Sequence, residues 1–123
     1  MTLQAPMSEK TLTELIRRIL SELEALAVQH RVSTPKVYVV ALFDDRSIPS
    51  DPEAIRLSDD VFIKEGCIAV RATDTLPLLV ERIATGYFAL SLIEFGEILD
   101  EHRVRQLVRE AVMPVLAKLA LST

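Results

Sequence analysis

Leu12, Leu15, Ile16, Ile19, Leu20, Leu23, Leu26 and Ala27 recur three and four residues apart. At about 100° per residue they line one helix face as a stripe roughly 140° wide. No charge falls inside the stripe, and Glu14, Arg17, Arg18, Ser21 and Glu24 occupy the opposite face. The spacing predicts a helix over residues 9–28. Ser8 or Thr11 is its candidate cap, and Thr11 with Glu14 matches the Thr-x-x-Glu capping box. Glu14 and Arg18 stand four apart in the order that supports a helix. At about 25 cal/mol per Å² of apolar area, burying this stripe is worth several kcal/mol. It must therefore meet either the rest of the chain or another protein.

The chain has 123 residues, 50% of them apolar and only 5% aromatic, with no Trp. That is one domain's worth of protein with an aliphatic core. Residues 1–7 carry no period and are expected to fray. Residues 29–35 lose the helical period and end at Pro35, as a short linker. Lys36–Phe43 (KVYVVALF) is a Val-rich apolar run that reads as a strand buried on both faces. Residues 44–60 are polar and acidic, with Pro49 and Pro52, and read as a loop with one helical turn after Pro52. Val61–Ile63 reads as a short edge strand, and Cys67–Arg71 as a second main strand. Asp74 or Thr75 then caps a helix over residues 76–85, with Pro77 in its first turn and Gly86 at its C′ position. Tyr87–Ile93 (YFALSLI) is a third apolar run and reads as a strand.

Strand, helix and strand there make a βαβ unit, which crosses over right-handed between parallel strands. After Gly96 the helical period returns in Val104, Leu107, Val108, Ala111, Val112, Val115 and Leu119. Pro114 inside that stripe predicts a kink or a break into two helices. The expectation is a small α/β domain over residues 36–123, in two or three layers, with about three mainly parallel strands. A separable amphipathic helix and linker over residues 1–35 precede it.

Lys and Arg number 14 against 18 Asp and Glu, for a net charge of −4. That balance disfavours a nucleic-acid binder and a polybasic membrane-surface protein. One Cys rules out an intramolecular disulfide and suits a reducing compartment. No apolar run is expected to reach the roughly 18 residues of a membrane span. Glu14, Arg17 and Arg18 interrupt the first apolar segment, so it lacks a signal-peptide layout. The expected location is cytoplasmic.

Asp44 and Asp45, with Asp51, Asp59 and Asp60 nearby, are the candidate ligands for a hard cation. Their spacing matches no calcium loop, and a solvated acidic loop is the simpler reading. Cys67 has no base beside it in sequence to depress its pKa, and it reads as a buried structural thiol. His30 lies in the linker and His102 in a charged patch, which leaves no zinc constellation. Gly66, Gly86 and Gly96 match no phosphate-binding loop. No catalytic, cofactor-binding or metal-binding residue is assigned, and the chain reads as a non-enzyme.

The segment Glu9-Lys-Thr-Leu-Thr-Glu-Leu-Ile-Arg-Arg-Ile-Leu-Ser-Glu-Leu resembles the encapsulation peptides of bacterial microcompartments. Those are short amphipathic helices that bring proteins into the lumen. The stretch Gly86-Tyr-Phe-Ala-Leu-Ser-Leu, with Leu99 and residues 103–108, is similar to part of the propanediol-utilisation microcompartment protein M family. The resemblance implies a structural assembly protein without catalysis, located in a microcompartment. It implies docking to shell or encapsulated enzyme proteins through Leu12, Leu15, Ile16, Ile19, Leu20 and Leu23. Two other readings stand beside it. One is a small flavin- or nucleotide-binding protein, suggested by the βαβ unit and the strand end at Asp44-Asp45. The other is a homodimerisation module, because the stripe approaches a coiled-coil seam over two heptads.

Overall fold

The computed structural model describes residues 9–121. In chain order the elements are α1 (Glu9–Gln29), β1 (Val39–Phe43), β2 (Ile55–Ser58), β3 (Val61–Lys64), β4 (Cys67–Arg71), α2 (Leu76–Glu94) and α3 (Glu101–Leu121). The four strands form one sheet in the order β1-β4-β3-β2. β1 runs parallel to β4, whereas β3 is antiparallel to both β4 and β2. The α/β class expected from the sequence holds, but the sheet is four-stranded and mixed rather than three-stranded and mainly parallel.

The missing third strand accounts for most of that difference. Tyr87–Ile93 continues α2, so there is no βαβ unit. An apolar run of this length suits a buried strand or a helix enclosed on all sides, and its period cannot separate the two. Here enclosure wins: Gly86 through Leu92 are buried without a break, between the sheet and the other two helices. Gly86 is not a terminus. It lies mid-helix where α2 crosses the sheet, and a Cβ there would lie 2.5 Å from Cγ2 of Ile68. The helix ends instead at Gly96, with φ 70°. There Gly96 N–H donates to Ile93 O at 3.0 Å and Glu97 N–H to Leu92 O at 3.0 Å, a Schellman motif. Thr75 is the N-cap by backbone, with no side-chain cap bond, and Pro77 sits in the first turn. By length and composition α2 is apolar enough to cross a membrane, but 67% of that stretch is buried in this fold.

β2 lies inside the stretch expected to be loop. Ile55-Arg-Leu-Ser alternates apolar and polar residues, the period of a half-buried strand. β2 pairs with β3 around a turn at Asp59-Asp60, with an irregularity between Arg56 and Ser58. β3 is thereby interior, and the edges belong to β1 and β2. β1 is accordingly not buried on both faces: Val39 is 52% exposed. α3 passes through Pro114 unbroken. The proline is exposed, so the carbonyl it leaves without a helical donor is on the solvent side. Asp100 caps α3, its carboxylate accepting from His102 N–H at 2.9 Å and Arg103 N–H at 3.4 Å.

α1 is not a separate unit. Ile19, Leu23 and Ala27 are fully buried in the same core as Ile68, Val70, Ile83 and Val115. The proposed Thr11–Glu14 capping box does not form, because the helix already includes Glu9 and Thr11 lies within it. Ser8, and the fraying expected of residues 1–7, fall outside the described residues. α1 ends in a second Schellman motif: Arg31 N–H donates to Val28 O at 3.1 Å and Val32 N–H to Ala27 O at 2.9 Å. The C′ residue is Arg31, at φ 59°, where glycine is the usual occupant.

Candidate functional site

α1 and α3 run antiparallel. Arg18 Nη2 donates to Leu119 O at 3.4 Å, and His30 Nδ1 lies 3.7 Å from Glu110 Oε2 further along. At 1.5 Å per residue, the first turns of α1 therefore extend roughly 10 Å past the described end of α3. This divides the stripe expected to bind a partner. Ile19 and Leu23 have 0% exposure and serve the core, so no partner reaches them in the folded chain. Leu12, Leu15, Ile16 and Leu20 pack against that core but stay partly exposed.

Ile16 and Leu20 also line a groove of about 430 Å³ between α1 and the start of β1, opposite Val37, Tyr38, Val39 and Val40. Tyr38 is 77% exposed. β1 borders this groove as an edge strand. Val39 N–H donates to Gly66 O at 3.3 Å and Ala72 N–H to Phe43 O at 2.9 Å. Backbone groups alternate along a strand, so those of Val39, Ala41 and Phe43 face β4, and those of Val40 and Leu42 face outward. Among the described residues nothing pairs with them. Sequence reasoning missed this feature, because an apolar run does not reveal its place in the strand order.

A second cleft, of about 580 Å³, opens between α2, α3 and β2. Leu57, Val104, Val108 and Val112 supply its apolar wall, and Arg56, Arg105 and Arg109 lie around it with Glu81 and Glu101. No glycine and no aromatic ring is among its lining residues.

Most of the acidic residues near the strand ends are engaged by cations of the sheet and of α2. Arg71 bonds Asp60 at 3.0 Å, pairs with Asp45 and lies 5.2 Å from the centre of the Phe43 ring. Arg82 donates to Arg71 O at 2.8 Å and reaches Asp60 at 3.6 Å. Lys64 bonds Asp51 at 2.7 Å, which holds the Asp51 carboxyl below its usual range and raises the Lys64 ammonium above its own. The Arg46 backbone N–H, and then the Ser47 hydroxyl, keep the Asp44 carboxyl low. Asp59 pairs with Arg56. Among the described residues no group of three or more His, Cys, Asp or Glu side chains is placed to hold a metal ion. Cys67 is half-buried rather than buried, on the sheet face that no described helix covers.

Compared with known proteins, the chain matches no family model, no curated protein and no solved structure.

Proposed function

We propose that this protein is a non-enzymatic docking module that works by protein–protein contact through the N-terminal half of α1. The observation that carries this reading is the division of the α1 stripe. Ile19, Leu23 and Ala27 anchor the helix, while Leu12, Leu15, Ile16 and Leu20 pack on the edge of that core and keep part of their apolar surface open. A helix whose apolar face is half seated offers the remaining half to a partner's groove. The proposed setting is a bacterial microcompartment, with a shell or encapsulated enzyme protein as partner. The support for that setting is the likeness of residues 9–23 to encapsulation peptides.

The test uses two partly exposed residues and leaves the buried anchors alone. Changing Leu12 and Leu15 together to Glu is expected to lower the melting temperature modestly while the chain stays folded by circular dichroism, and to abolish targeting of a fluorescent fusion to compartments. Targeting that persists in this variant rejects α1 as the docking element.

A further inference from the structure

We infer that β1 pairs antiparallel with β1 of a second copy, joining the two sheets edge to edge. Exposed strand edges are usually blunted by charge, proline or a bulge. β1 has none of these: Val39-Val-Ala-Leu-Phe43 is uncharged, lacks proline and runs in unbroken register with β4. Val40 and Leu42 leave two N–H and two C=O groups outward. A two-fold axis through Ala41 places Val40 opposite Leu42 of the second copy, and Leu42 opposite its Val40. All four outward groups are then paired in each copy.

The charges flanking the strand favour a second copy of this chain as the occupant. Arg17 and Lys36 lie toward the start of β1, with the Glu94 carboxylate at the Lys36 N–H. Asp44, Asp45 and Arg46 follow its end, with Asp45 paired to Arg71. The start thus carries a net positive charge, and the three residues after the end a net negative one. Antiparallel pairing brings the basic end of one copy against the acidic end of the other. Parallel pairing would set like ends together, and a closed two-fold contact between identical edges is antiparallel by symmetry. Ile16 and Leu20 flank the seam on the helix side, and Val39 and Ala41 flank it on the open face. The pairing goes beyond the docking of α1 and does not depend on it.

The test is sedimentation of the full chain together with two variants at Ala41, whose side chain is exposed. Across the axis the two Ala41 residues form a non-hydrogen-bonded pair, with Cα atoms about 4.5 Å apart. That distance is within disulfide range. In a Cys67→Ser background, Ala41→Cys is expected to yield a covalent dimer on oxidation. Ala41→Lys sets two ammonium groups face to face, and a dimeric wild type is expected to become monomeric without loss of the folded circular-dichroism spectrum. A wild-type chain that sediments as a monomer at millimolar concentration overturns the pairing. So does a dimer in which Ala41→Cys forms no disulfide, whatever Ala41→Lys does. Neither result bears on the Leu12 and Leu15 variants, so the two proposals fail separately.

Discussion

Ser33 and Ser91 hold each other through reciprocal hydrogen bonds. The Ser33 hydroxyl donates to the Ser91 carbonyl at 2.7 Å, and the Ser91 hydroxyl donates to the Ser33 carbonyl at 2.6 Å. Ser91 is 1% exposed, and 58 positions separate the two. The bonds fasten the segment after α1 to the last turns of α2, which keeps α1 seated and leads the chain into β1.

Ser91→Ala strands the Ser33 carbonyl in a largely dry site. It is expected to cost about 1–3 kcal/mol by urea denaturation. Ser33→Ala removes the other bond. The double variant is expected to cost less than the sum of the two, because both bonds secure one junction. Full additivity would show that the serines act independently.

Arg31 sits at the C′ position of α1 with φ 59°. A side chain in that region costs roughly 1–2 kcal/mol, which glycine avoids. Glycine also gains freedom in the unfolded chain, which takes back about 0.4–1 kcal/mol. Arg31→Gly is therefore expected to stabilise the fold by about 0.5–1 kcal/mol, read as a raised melting temperature. A lowered melting temperature would contradict the Schellman assignment.

Gly86 should not accept a methyl group. Alanine brings about 1 kcal/mol of helix propensity. Its Cβ would meet Cγ2 of Ile68 at 2.5 Å and Cγ1 at 3.2 Å, and Ile68 is fully buried on β4. Overpacking of this kind costs about 1–3 kcal/mol, so Gly86→Ala is expected to destabilise. In an Ile68→Ala background the obstruction is gone, and the same change is expected to stabilise. A reversal of sign in chemical denaturation checks the contact.

Burial of Tyr87, and then the nearby Glu24 and Glu94 carboxylates, push its phenol up to about 12 from 10.0. The folded state thus holds the proton more tightly than the unfolded chain does. The resulting stability is fully present below pH 10.0 and is lost as pH rises towards about 12. Tyr87→Phe is expected to flatten that alkaline limb, measured as melting temperature against pH. An unchanged limb would place the alkaline sensitivity elsewhere.

Local pattern carried much of the architecture. The α1 stripe, the strand at Cys67–Arg71 and the periodic stretch of α3 are each written in a few neighbouring residues, and each forms where its period predicts. A helical stripe needs only a face to bury, so its existence does not depend on what buries it. The stripe's division is not legible in the same residues: periodicity treats Leu12 and Ile19 alike, yet one remains partly exposed and the other has none of its surface in solvent. That distinction depends on where α3 ends alongside α1.

The tertiary structure also decided the state of Tyr87–Ile93. Its run of apolar residues satisfies a strand or a helix equally, and the sheet, α1 and α3 together supply the enclosure that makes it helical. The edge position of β1 belongs to the same category. Residues 39–43 predict a strand, but strand order is a property of the whole sheet, and it alone leaves the outward groups of Val40 and Leu42 open. Periodicity along the chain determines which elements form, whereas exposure depends on which distant segments cover them.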